Sequence, residues 1–256
     1  DYVDPMNAQT PTPAPTPEGF HAHVYYDAAS KPEAEALRAE IEREMGETEA
    51  YLLDKNIGNA GAVFVAEKLR GNTILYQLYL SNCGIGAGGA RALAESLAED
   101  NVTLKYLNLQ GNKVGDDGAE SMAQMLPKNT TLEGLLLGSC GVGARGARAL
   151  GEALKQNTTL KDLNLGGNDI CDDGADALAD ALRWNESLKV LFLYRCQLTD
   201  VGALSLLSAL RESNSTLHQL NLESNDAVKD QVIKESIQEL LQENKDILPA
   251  ATQRRA

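Results

Sequence analysis

Residues Leu75–Leu93 read LYQLYLSNCGIGAGGARAL. An apolar run with strand alternation leads into a helical pattern, and between them Gly84, Gly86 and Gly89 spell G-x-G-x-x-G. That is the spacing of a dinucleotide-binding turn, in which glycines let the backbone approach a pyrophosphate. Repetition gives the string another meaning. It recurs at Gly141, Gly143 and Gly146 (GVGARG), while the intervening unit reads NKVGDDGA, where the fingerprint fails but the chain stands at the same place in its pattern. A phosphate site would also want an acidic residue ending a strand about 20 residues further on, and that window holds the Asn101 turn and Leu104.

The pattern LxxLxL restarts at Leu75, Leu104, Leu132, Leu160, Leu188 and Leu217, at intervals of 29, 28, 28, 28 and 29 residues. A degenerate first copy, TEAYLLDKN, begins near Thr48, 27 residues before Leu75, so seven units fill the chain from about residue 47. Each unit supplies strand leucines such as Leu75, Leu78 and Leu80. An inward position follows that alternates as Asn56, Cys83, Asn112, Cys140, Asn168, Cys196 and Asn225. A buried Asn there can bond the free backbone groups of neighbouring turns, and a small Cys can occupy the same space. Then come an apolar residue (Ile85, Val114, Val142, Ile170, Leu198), a Gly-Ala pair, and a helix with inward residues at 3/4 spacing. The unit ends at an Asn-containing turn: Asn101, Asn129, Asn157, Asn185, Asn214.

These motifs resemble the leucine-rich repeat of the ribonuclease-inhibitor type, whose units alternate between Asn and Cys forms. The resemblance implies an α/β leucine-rich-repeat solenoid of about seven repeats, curved, with a parallel sheet on the concave face and helices on the convex face. Stacking completes a core that no single unit can bury, and the end units need caps. The last unit, with VKDQVIKESIQELLQENKDIL, reads as a polar C-terminal cap.

The remaining motifs fit the repeat. Cys83, Cys140 and Cys196 are two units apart, about two strand spacings of ~4.8 Å, too far for a disulfide. Reduced thiols point to a reducing, intracellular compartment, cytoplasmic or organellar. Asp116-Asp117 and Asp172-Asp173 lack calcium-loop spacing and read as helix capping, with Asp117 and Glu120 forming a box. Five N-x-S/T sequons coincide with the helix-ending asparagines.

Outside the repeat, residues 1–18 form a Pro/Thr-rich tail (TPTPAPTP), and 19–46 form a strand and helix. In GFHAHVYYDAASKPEAEALRAEIERE, alternation puts His21, His23 and Tyr25 on one strand face, and Ser30 can cap the helix. This segment resembles the opening of the DOPA 4,5-dioxygenase-like family, whose H-x-H strand helps to hold a metal. The resemblance makes His21 and His23 metal-ligand candidates. The family's remaining sheet and later histidines are absent, so a cap on the weak first repeat is the simpler role. Repeats occupy 47–248 and a C-terminal tail 249–256.

A net charge of −14 argues against nucleic acid and favours a basic protein partner, and no apolar run approaches the ~20 residues of a membrane span. Partner-binding candidates are the concave-face residues between the leucines: Tyr79, Tyr106, Leu136, Val190, Phe192, Tyr194 and Arg195, flanking a glycine-rich centre. The reading is a non-enzymatic protein-interaction or scaffold module without cofactor, or a subunit of a larger assembly. Its alternatives are a regulator of an enzyme, as the resemblance to ribonuclease inhibitors and to repeat proteins that aid GTPases implies, and a metal-dependent dioxygenase.

Overall fold

The computed structural model describes residues 31–99 and 101–253, with side chains placed over 33–99 and 101–246. The Pro/Thr-rich tail, His21, His23, the strand expected around them and Ser30 lie outside the described residues.

Helix α1 (Lys31–Glu44) precedes seven strand–helix units: β1 (Glu49–Tyr51) and α2 (Gly58–Leu69), β2 (Gln77–Tyr79) and α3 (Ala87–Glu99), β3 (Tyr106–Asn108) and α4 (Gly115–Met125), β4 (Gly134–Leu136) and α5 (Ala144–Leu154), β5 (Asp162–Asn164) and α6 (Cys171–Leu182), β6 (Val190–Phe192) and α7 (Asp200–Glu212), β7 (Gln219–Asn221) and α8 (Gln231–Gln253). The strands form one open parallel sheet in chain order. Leu75, Leu78 and Leu80 and their successors are buried between sheet and helices, against Ala90, Leu93 and Leu97 and their equivalents. The α/β solenoid expected from the leucine spacing is the observed fold.

Three rows of side chains tie the units together. In the first, Asn112 Oδ1 accepts from Cys83 N (3.0 Å) and Ile85 N (2.9 Å), while its Nδ2 donates to Leu80 O and Leu109 O (both 2.7 Å). Asn168 and Asn225 repeat this geometry. In the alternate units the thiols of Cys83, Cys140 and Cys196 donate to Leu52 O, Leu109 O and Leu165 O. Burial pushes the Cys140 and Cys196 thiols up to about 11, so these sulfurs stay protonated.

The second row is the set of helix-ending asparagines. Asn72, Asn101, Asn129, Asn157, Asn185 and Asn214 accept at Oδ1 from the N–H groups two or three residues on. Except at the first rung, their Nδ2 donates to a leucine carbonyl of the preceding unit, and Asn244 of α8 closes the row on Asn214 O and Leu217 O. The sequon threonine or serine serves the same row: Thr159 and Ser187 hydroxyls donate to Asn129 O and Asn157 O. The five sequons are thus interior joints of the solenoid.

The third row explains the glycine string. Gly86 N and Gly89 N, the donors a phosphate would need, both donate to Asn59 Oδ1 (2.7 and 3.0 Å). In GVGARG, Gly143 N and Gly146 N donate to Asp116 Oδ1 (2.7 and 2.9 Å). The preceding unit therefore supplies its own acceptor where an anion would sit. Asp172 does the same for Thr199 N and Gly202 N, and Asp200 for Lys229 N and Asp230 N.

Three expectations need correction. Asp117 and Glu120 do not form a capping box. Both bind Arg145 of the next unit, at 2.5 and 2.6 Å, and the N-cap of α4, Val114, makes no side-chain cap bond. The first unit pairs Glu49 with Gln77, an offset of 28 rather than 27. This register puts Lys55 opposite Cys83, so Asn56 is exposed, with φ 46°, and does not join the inward row. Lys55 instead meets Glu40 of α1 at 3.0 Å, and Ile41 of α1 and Met45 just after it are buried in the core with the first unit. Finally, α8 continues to Gln253, through residues expected in the tail.

Helices α5 and α6 approach closely at Gly151. Gly151 stands where other units carry Ala94, Ala123 and Ala179, and a Cβ on it would lie 2.8 Å from Ala177 O. Helix propensity alone favours Gly151→Ala by about 1 kcal/mol. The backbone carbonyl cannot move away without separating the helices, an overpacking cost of about 1–3 kcal/mol. Gly151→Ala is expected to lower the thermal midpoint, against the consensus of the repeat; a raised midpoint would show that α6 yields freely.

Candidate functional site: the concave face

Because the middle residue of each strand points into the core, its two neighbours point out of the concave sheet. Strand register then sorts the expected contact residues into rows. One row runs Tyr51, Tyr79, Asn108, Leu136, Asn164, Phe192, Asn221, and another runs Glu49, Gln77, Tyr106, Gly134, Asp162, Val190, Gln219. Val190 and Phe192 lie on β6, and Tyr194 follows on the same face; Leu136 shares Phe192's row across Asn164. Arg195 sits in the turn beyond, exposed, with φ 52°.

The glycine-rich centre is not open space. A Cβ at Gly134 would collide with the Tyr106 ring, and one at Gly166 with the Tyr194 ring. The two tyrosines lean toward the centre from opposite sides, and the glycines are their seats. Tyr106 also lies near Asp162, whose carboxyl is pushed above the usual range by burial, an effect that Tyr106 and His218 oppose. Asp162 has no ion-pair partner within 4 Å among the described residues. Beside it, Glu133 is held by Lys105 and Lys161, each at 2.6 Å, and these two bonds lower its pKa. Burial, with Lys189 and Lys245 nearby, lowers that of His218.

Tyr79 lies apart from the β6 group. It stacks on Tyr51, ring centroids 4.7 Å apart and nearly parallel at 3°. Tyr51 is 48% exposed and Leu53 39%. The Tyr51 hydroxyl donates to Glu49 at 2.5 Å, which raises its pKa to about 12. Sequence reading passed over Tyr51 and Leu53. The signal was present in the 28-residue offset, which aligns Tyr51 with Tyr79 once Lys55, rather than Asn56, is set against Cys83.

Comparison with known proteins agrees with this architecture. The sequence profile of the leucine-rich repeat matches residues 71–94, 100–123, 128–151 and 156–179. No curated protein matches the chain significantly. Among solved structures, "Leiomodin-1 Actin-Binding Site 2" is similar at TM-score 0.58 and 20% identity, covering 66% of this chain and 95% of its own. The tropomodulin C-terminal domain of Caenorhabditis elegans is similar at TM-score 0.55 and 16% identity, covering 64% of this chain and 97% of its own. Likeness at such identities establishes shape. Among the described residues, no helix is long and apolar enough to cross a membrane. Together, the repeat matches, the open parallel sheet and these neighbours identify the chain as an α/β leucine-rich-repeat solenoid.

Proposed function

We propose that this chain is a non-enzymatic protein-interaction module, of the ribonuclease-inhibitor type of repeat, that grips a partner protein on its concave face. The observation that carries the reading is the set of large apolar side chains held out of that face by three-residue strands: Tyr51, Leu53 and Tyr79 at one end, and Val190, Phe192 and Tyr194 toward the other. None can turn into the core, whose places are filled by the leucines. Aromatic side chains on a rigid surface are the usual anchors of an interface. A half-buried carboxylate with no ion-pair partner within 4 Å among the described residues, Asp162, between Tyr106 and Val190, favours a basic side chain on the partner, in keeping with the net charge of −14.

Affinity capture with quantitative mass spectrometry tests this. A partner recovered with the wild type is expected to fall at least about tenfold with Phe192→Ala/Tyr194→Ala or Tyr51→Ala/Tyr79→Ala, each loss being worth more than ~1.4 kcal/mol. Unchanged recovery with both folded variants would move the interface off the concave face. Actin, named for the leiomodin-1 site, enters the same test as one candidate.

A further inference from the structure

The first unit carries an acid, an aromatic ring and an aliphatic chain in one line on the concave face. Alternation along β1 and just past it puts Glu49, Tyr51 and Leu53 on that side, with Tyr51 and Leu53 exposed and Glu49 half-buried. Hydrogen bonds hold the line in place. The Tyr51 hydroxyl donates to Glu49 Oε2 at 2.5 Å, and Gln77 Nε2 donates to Glu49 Oε1 at 3.0 Å. The Tyr79 hydroxyl donates to Gln77 Oε1 at 2.5 Å, and the stack of Tyr51 on Tyr79 closes the network. Each ring is thus fixed at its face and at its tip. A ligand that lands on Tyr51 meets side chains already ordered by the fold.

The charge of Glu49 is left over. It has no ion-pair partner within 4 Å among the described residues, whereas Glu40, Glu42 and Glu44 of the neighbouring helix α1 are paired with Lys55, Lys68 and Arg43. Residues 1–30, the chain ahead of α1, contain no lysine or arginine. A matching side chain must therefore come from another molecule. Strand β1 is also the first of the sheet, so the face of Tyr51 turned away from Tyr79 meets no other ring among the described residues.

One side chain fits this set. A ring face attracts a cation through its quadrupole. Guanidinium is planar and weakly hydrated, so it can lie on a ring while giving N–H groups to a carboxylate, which a compact, strongly hydrated ammonium does poorly. Same-face residues of a strand lie ~7 Å apart, so an arginine with its head at Tyr51 and Glu49 lays its aliphatic stem along Leu53. We propose that Glu49, Tyr51 and Leu53 receive an arginine side chain of the partner protein, with its guanidinium on the free face of Tyr51 and bonded to Glu49. The assignment rests on the concave-face interface proposed above and names a side chain which that interface selects.

A blocked glycine–arginine–glycine peptide is the probe, followed through the tyrosine ring resonances of the full chain. It should shift the Tyr51 and Tyr79 rings in a saturable way. The citrulline counterpart, equal in shape but uncharged, and the lysine counterpart should each bind at least about fivefold more weakly. Glu49→Gln should weaken the arginine peptide to the level of the citrulline one, Tyr51→Leu should abolish the shift at Tyr79, and Phe192→Ala/Tyr194→Ala should change neither ring's response. Unmoved rings in the folded wild type, equal binding of the citrulline or lysine peptide, or shifts confined to Tyr106 and Asp162 would each overturn the proposal. If partner capture falls with Tyr51→Ala/Tyr79→Ala while the arginine peptide leaves both rings unmoved, the concave face still binds a protein and the arginine assignment fails.

Discussion

Asn112→Ala is expected to lower the stability of the solenoid by about 3–5 kcal/mol, a large part of the ~5–15 kcal/mol typical of a folded domain. The substitution removes four hydrogen bonds. Leu109 O keeps the Cys140 thiol at 3.1 Å. Cys83 N, Ile85 N and Leu80 O are left buried without a partner, at about 1–3 kcal/mol each. A water entering the vacated volume would recover part of this, which sets the lower end of the range. The control is Asn56→Gly. Asn56 occupies the same place in a simple reading of the repeat, yet it is exposed and takes φ 46°, which glycine accepts. Its change is expected within about 0.5 kcal/mol. Urea midpoints at constant slope measure both; similar losses at the two positions would mean that the first unit shares the register of the others after all.

That contrast shows what could be read from residues alone. The leucine interval fixes strand, turn and helix because one strand–helix unit repeated at 28 or 29 residues has a single way to stack its apolar positions. The alternation of Asn and Cys marks an inward position because nothing else explains two such different side chains recurring at one place. Reading failed where a residue bonds to another unit rather than its own. Asp116 looked like a local cap, but its acceptors serve α5, 27 and 30 residues on. Asn101, Asn129, Asn157, Asn185 and Asn214 looked like turn residues, but each amide reaches back to the preceding unit. Sequence distance conceals these bonds, and only the stacking brings the partners together.

On the concave face, the outward positions were legible from alternation. Which of them associate was not, because ring orientation depends on neighbours. Gly134 and Gly166 read only as a glycine-rich centre, and the structure lays Tyr106 and Tyr194 over them. Tyr51 was hidden by a one-residue slip in the first unit, where Lys55 replaces the inward residue and removes the landmark.

The second large effect is expected at the helix-ending asparagines. Asn157 donates to Leu126 O at 2.6 Å and accepts from Leu160 N at 2.8 Å and Thr159 N at 3.1 Å. Asn157→Ala orphans all three groups in a site that is 5% exposed, for an expected loss of about 3–4 kcal/mol. Thr159→Ala removes the hydroxyl's bond to Asn129 O and its acceptance from Asn157 Nδ2 at 3.1 Å, but Asn157 Nδ2 keeps Leu126 O, and Asn129 O still receives Asn157 Nδ2 at 3.4 Å. Its loss is expected near 1 kcal/mol. The ordering separates two meanings of N-x-T. If the motif served glycan attachment, both substitutions would abolish it alike and stability would be nearly indifferent to either. Here a glycan on Nδ2 would displace the Leu126 carbonyl from the interior, so the folded chain cannot carry one at this position. Chemical denaturation of the two variants decides the matter, and equal midpoints would remove the structural role assigned to the Asn157 amide.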